Sequence, residues 1–167
     1  QARRLVREHD RAGALRLLEV ERGLDAAEPE RAWLAVAVLR ESQAGPRARR
    51  LAAALPPSPF RAALRALAAE TPAAALELAL PHAGSGSPWI HLVIAISRTA
   101  QGDKGEALRS AKRALQPNAE GCAAPAAPPV PDLVRFDAHL LIARLQLQRG
   151  DMDAGLASAQ AAHESNP

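Results

Sequence analysis

Apolar residues recur at helical spacing along the chain and are interrupted by short polar, Gly or Pro breaks. This patterning predicts five helix-turn-helix segments. Ala2 to Glu8 reads as the tail of one helix and Ala12 to Leu24 as its partner, with the turn at His9-Asp10. Glu30 to Gln43 and Pro46 to Leu55 form the second pair, broken at Ala44-Gly45 and closed by Pro56-Pro57. Pro46 suits a helix's first turn, where its missing N–H costs no hydrogen bond. The third pair runs Phe60 to Ala69 and Pro72 to Leu80, with Thr71 predicted to cap the second helix. Pro81 and the connector Gly84-Ser85-Gly86-Ser87 end it. The fourth pair is Trp89 to Gln101 and Lys104 to Gln116, joined by Gly102-Asp103. Leu133 to Arg149 and Met152 to Glu164, joined by Gly150-Asp151, are the fifth.

Composition strengthens the helical reading. Roughly a quarter of the 167 residues are Ala, the best helix former, while aromatic residues make up 2% and Tyr is absent. Strand-favouring residues are too scarce for a substantial sheet. The fold class predicted is all-α. Length is consistent with one domain spanning residues 1–167.

The last two pairs repeat each other. Superimposed, they match His91 with His139, Leu92 with Leu140, Ile94 with Ile142 and Ala95 with Ala143. Further along, Leu108 matches Leu156, Ser110-Ala111 matches Ser158-Ala159, and Ala114 matches Ala162. Repetition of that density marks a repeat architecture. The spacing between turns is irregular, and the long last step is explained by an inserted Pro/Ala-rich loop at residues 118–132. Pro125, Pro128, Pro129 and Pro131 prevent it from continuing a helix.

A bulky residue, a small residue after it, a Gly-Asp turn and small residues along the second helix together resemble the tetratricopeptide repeat. Ile142-Ala143, Gly150-Asp151, Gly155, Ala162 and Pro167 carry the resemblance in the fifth segment. Ile94-Ala95, Gly102-Asp103, Ala107 and Ala114 carry it in the fourth. Asp10 and Ala14, then Trp33, Val36 and Ala37, then Ala63 and Ala75 are the matches earlier in the chain. The resemblance implies a solenoid of about five stacked antiparallel helix pairs, the first truncated, wound as an α-α superhelix. Each pair is too small to bury its own apolar face and must stack on its neighbours. Ala and Gly at the contacts let helix axes approach near the lower end of the usual range.

The resemblance also implies that the first helix of each pair lines a concave face that binds extended peptides or helices. Projected onto this chain, the lining is Arg31, Leu34 and Val38 in the second pair. It continues with Trp89, Leu92, Ile96 and Thr99 in the fourth, and with Asp137, Leu140, Arg144 and Gln148 in the fifth. Leu92, Leu140 and Trp89 equally suit packing between helices. Arg144 is the more telling position, because its helix is otherwise largely apolar and a charged tip must reach water or a partner. Some relatives hold a peptide's terminal carboxylate with an array of Lys, Arg and Asn. This chain lacks the array, so that specificity is not transferred.

Charge and titratable residues add little. Lys plus Arg number 21 against 18 Asp plus Glu, a net charge of +3. The bases are nearly all Arg, a bias that fits a GC-rich genome. Arg47, Arg49 and Arg50 form a basic helix face, but stacking aromatics for single strands are scarce, and no nucleic-acid partner is expected. His91 and His139 occupy equivalent repeat positions, which points to packing, and no further ligands accompany them. The single cysteine, Cys122, excludes an internal disulfide and lies in the Pro/Ala loop. Ser85 and Ser87 sit in a glycine-rich stretch that lacks the strand and the Lys-Ser or Lys-Thr of a phosphate loop. Trp89 to Ile96, the longest apolar run at about eight residues, is short of a membrane span, so no insertion is expected.

The expectation is therefore a non-catalytic interaction scaffold with no cofactor or metal, placed in the cytoplasm. Its partner is another protein or an adjoining domain, since opening on Gln1 within a helical pattern suggests a piece of a longer chain. The rival readings are a regulatory segment of a larger enzyme, kinase or transcription regulator, and a homo-oligomer that stacks repeat ends between chains.

Overall fold

A computed structural model describes residues 11–18, 24–116 and 130–165. The described residues form helices without strands. They are α1 (Arg11–Leu17), α2 (Pro29–Glu41), α3 (Gly45–Ala54), α4 (Pro59–Leu67), α5 (Pro72–Ala79), α6 (Pro88–Ala100), α7 (Lys104–Leu115), α8 (Asp132–Leu147) and α9 (Met152–Ser165). A 3-10 helix, Leu80–Ser85, lies between α5 and α6.

The boundaries follow local chemistry. Pro29, Pro59, Pro72 and Pro88 begin helices, where the missing N–H leaves no bond unmade. Four side chains cap helix starts by accepting backbone N–H bonds. Ser58 accepts from Arg61 at 3.0 Å, Thr71 from Ala74 at 3.2 Å, Asp103 from Glu106 at 3.1 Å and Asp151 from Ala154 at 3.2 Å. The Thr71 cap and the two Gly-Asp turns lie where the sequence puts them.

Three turns share one geometry. In the fourth pair, Gly102 N–H bonds to Thr99 C=O and Asp103 N–H reaches back to Arg98 C=O. In the fifth, Gly150 bonds to Leu147 and Asp151 to Gln146 in the same register. Both glycines are left-handed, with φ 82° and 81°. The second pair repeats the pattern through Gln43 to Arg40 and Ala44 to Leu39. There the left-handed residue is Gln43, with φ 59°. The sequence break expected at Ala44-Gly45 thus falls one residue early, because the hydrogen-bond register, not the glycine, sets the turn.

Other departures are local. Leu18 is already in a turn and Leu24 is outside a helix, so α1 is shorter than its pattern suggests. The Gly84-Ser85 connector is partly wound into the 3-10 helix. Asp132, predicted to end the inserted loop, begins α8, while the remainder of that loop from residue 118 to 129, including Cys122, lies outside the described residues. So do Ala2 to Glu8 and the His9-Asp10 turn.

The chain gathers into two compact units that divide between Leu78 and Ala79. In the first unit, α2 packs on α1, α3 and α4, and α3 packs on α4. Its centre is α2, whose Ala32, Trp33, Ala35, Val36, Val38 and Leu39 are all buried. Ala48 and Ala52 of α3, and Ala63, Leu64, Ala66 and Leu67 of α4, complete that core. Alanine at so many buried sites lets the helices approach closely.

In the second unit α6 is central and packs on α7, α8 and the 3-10 helix. It is apolar nearly all round, and Trp89 to Ala95 are buried together with Ser97. By contrast α7 is amphipathic, burying Ala107, Ser110, Ala111 and Ala114 along one stripe. The last helix, α9, meets α8 through small residues. A Cβ added at Gly155 would lie 2.7 Å from Leu147 Cδ2, so only glycine fits without displacing that leucine. Ser158 Oγ donates to Gln146 Oε1 at 2.7 Å across the same contact.

Candidate functional site

The projected lining residues separate into three groups. Val38, Trp89 and Leu92 are buried, and their side chains fill the cores of α2 and α6. Their bulky apolar character is satisfied by packing. Arg31, Leu34, Ile96, Thr99 and Asp137 are half-buried. Arg31 Nε pairs with Glu28 Oε2 at 2.7 Å, and the Thr99 hydroxyl donates to the Ala95 carbonyl of its own helix at 2.8 Å. Leu140, Arg144 and Gln148 are exposed.

The exposed set is concentrated on α8. Asp137, Leu140, Arg144 and Gln148 are spaced three or four apart and share one side of the helix, and Leu147 falls on the same side. Leu140 is 51% exposed and Leu147 44%. Beyond them, α9 exposes Met152 and Leu156, at 65% and 61%. Four large apolar side chains therefore open to solvent on one helical pair, with Arg144 among them. An apolar surface bordered by charge can hold another protein by burial and orient it by ion pairing.

The first unit holds a feature that sequence reasoning missed. Arg49 of α3, Arg65 of α4 and Glu70 rim a cleft of about 360 Å³ whose walls include Ala53, Ala74 and Leu78. Arg49 Nη1 pairs with Glu70 Oε1 at 2.8 Å across its mouth. In the sequence Arg49 belongs to a basic helix face and Glu70 to a turn. Nothing in their spacing announces that they meet.

The histidines are set in different surroundings. His91 is buried in α6 and His139 half-buried in α8. Burial, with the Arg135 charge adding to it, holds the His139 imidazole below the ordinary histidine value. Among the described residues, no group of three or more His, Cys, Asp or Glu side chains is arranged to hold a metal ion. No helix among them is long and apolar enough to cross a membrane.

Helix pairs closed by left-handed Gly-Asp turns and packed through Ala and Gly give an all-α, helical-repeat fold like that of tetratricopeptide solenoids. Among solved structures the chain is similar to MamA MSR-1, a tetratricopeptide-repeat protein, at TM-score 0.50 and 19% identity. That match covers 99% of this chain and 92% of the other. MamA AMB-1 matches at TM-score 0.48 and 18% identity, over 98% and 86%. No family model matches the chain, and no curated protein matches it.

Proposed function

We propose that this chain is a non-catalytic interaction scaffold that docks a peptide, helix or neighbouring domain on the first-helix face of its last pair. The observation that carries this reading is the exposed side of α8, where Leu140 and Leu147 flank Arg144 with Asp137 and Gln148 beside them. Leucine burial supplies affinity and the Arg144 and Asp137 charges set the orientation of the partner. The helix is rigidly held beneath by Val134, Ala138, Ile142 and Leu145, so the face is preformed and little is lost in ordering it.

Affinity capture from native lysate with wild-type and Arg144→Glu baits tests the proposal. Circular dichroism establishes that both baits are folded. A protein enriched by wild type and lost with Arg144→Glu is the expected result. Identical capture by the two baits would remove α8 as the docking face.

A further inference from the structure

Charge is unevenly spread along the chain. The stretch that forms α3, α4 and α5 with their connecting turns, residues 45–79, holds Arg47, Arg49, Arg50, Arg61 and Arg65 against Glu70 and Glu77. Five positive and two negative charges give +3, which equals the net charge of the whole chain. Everywhere else acids and bases balance. A surplus gathered on three neighbouring helices draws anionic groups to that surface.

The cleft of the first unit opens within this stretch, with Arg49 and Arg65 on its rim. The ion pair between Arg49 and Glu70 joins side chains that are 39% and 73% exposed. A pair so open to water adds little net stability and exchanges readily for another carboxylate. A guanidinium also carries five N–H donors, so one contact leaves most of the capacity of Arg49 unused. Arg65 is exposed and pairs with no carboxylate among the described residues. One turn earlier on the same side of α4, Arg61 Nε is buried without a hydrogen-bond partner. Donors therefore exceed acceptors here. Between the arginines the walls are aliphatic, made by Ala53, Ala74 and Leu78, and hold no aromatic ring on which a base could stack. At about 360 Å³ the cleft has room for a side chain or two.

We propose that this cleft is a docking site for an acidic segment of a partner protein, which gives a carboxylate to Arg65 and Arg49 and sets a neighbouring aliphatic side chain against Ala53, Ala74 and Leu78. Charge complementarity names the occupant. Glu70 already seats a carboxylate on Arg49 from within the chain, so an incoming Asp or Glu makes a contact the geometry accommodates and competes with Glu70 for it. The walls come from α3 and α5, the second helices of their pairs, and from the end of α4. The site is thus separate from the first-helix face of α8, and its argument does not rest on that reading.

The probe is a short fluorophore-labelled peptide with Glu-Leu-Glu at its centre, its anisotropy followed on titration with the full chain. Saturable binding is expected, weakened at least about tenfold by Arg65→Gln and by a similar factor when the peptide's glutamates become Gln or its leucine becomes Ser. Matched variants separate the cleft from general charge. Arg50→Gln makes the same charge change as Arg65→Gln at an exposed residue outside the lining, and Glu77→Gln does so for Glu70→Gln. Arg50→Gln should alter affinity by less than about twofold, since salt screens exposed charges that make no contact. Glu70→Gln, which removes the competing carboxylate, should tighten binding several-fold, and Glu77→Gln should not. All four side chains are exposed, and circular dichroism checks that each variant is folded. No saturable binding, or equal effects within either matched pair, overturns the proposal. So does equal affinity for the Leu and Ser peptides with displacement by inorganic phosphate, because the cleft would then be a simple anion site. Binding of an oligothymidylate in place of the peptide overturns it as well. Peptide binding lost with Arg65→Gln and lysate capture lost with Arg144→Glu are read separately, so either reading can fail alone.

Discussion

The fourth and fifth helical pairs are built from the same pattern and meet different surroundings. Both turn through a left-handed glycine, both cap the second helix with an aspartate, and both place Leu, Ile and Ala at matching positions. Yet Leu92 is fully buried and its counterpart Leu140 is half in solvent. Leu92 lies on α6, which packs on α7, α8 and the 3-10 helix, whereas Leu140 lies on a side of α8 that is open among the described residues. A repeat sequence therefore encodes two surfaces: one that closes its own pair and one offered to whatever comes next. Which leucine becomes core is decided by position in the stack, not by the repeat itself.

Truncating the matched leucines should separate the two pairs most strongly. Leu92→Ala should lower unfolding free energy by about 2–5 kcal/mol, the usual cost of deleting a buried leucine and leaving a cavity. Leu140→Ala should change it by no more than about 0.5 kcal/mol, as for most exposed substitutions. Urea titrations followed by helical circular dichroism measure both. Equal losses would mean that Leu140 is covered in solution.

This contrast also marks how far the chain could be understood from its residues alone. Helices, their proline starts, the Thr71 cap and the Gly-Asp turns are local signals, carried within a few residues by propensity and hydrogen-bonding chemistry. They place nearly every helix correctly. Burial is a property of neighbours, so the repeat pattern marks Trp89, Leu92, Leu140 and Arg144 as one class, whereas the structure puts the first two inside and the last two outside. The Arg49–Glu70 pair and its cleft escape for the same reason, since they join a residue of α3 to one in the turn between α4 and α5. The division after Leu78 leaves no compositional mark, because the boundary lies at the end of α5 and not in a linker.

The turns allow a second, smaller comparison. Gly102 and Gly150 occupy left-handed positions without strain, while Gln43 holds the same position with a side chain. A non-glycine residue there carries a cost of about 1–2 kcal/mol, so Gly102→Ala and Gly150→Ala should each destabilise the fold by roughly that amount. Space is not the obstacle, because a Cβ at either glycine meets nothing within 4 Å. Conversely, Gln43→Gly should raise stability by up to about 1 kcal/mol, the relief being partly offset by the greater freedom of glycine in the unfolded chain. Thermal melts of the three variants would show two Tm values lowered and one raised. A lowered Tm for Gln43→Gly would mean that the glutamine side chain holds the second pair's turn in place.

The matched histidines give the smallest effect and the finest comparison. His139 is half-buried beside Arg135, and both burial and that charge disfavour its protonation, so its folded value lies below the ordinary 6.5. Well above 6.5 it is neutral in both folded and unfolded states and contributes no pH dependence. As pH falls through 6.5 the unfolded chain takes up the proton first, so stability declines until the folded imidazole protonates at its lower value. Replacing it by His139→Gln, which keeps a polar side chain without the titration, should flatten that part of the pH profile. Other histidines, His91 among them, remain in both proteins, and the difference between the two profiles isolates this one side chain. Urea midpoints between about pH 7.5 and 5.5 supply the measurement. Parallel curves for wild type and His139→Gln would mean that the imidazole is as readily protonated in the fold as in the unfolded chain.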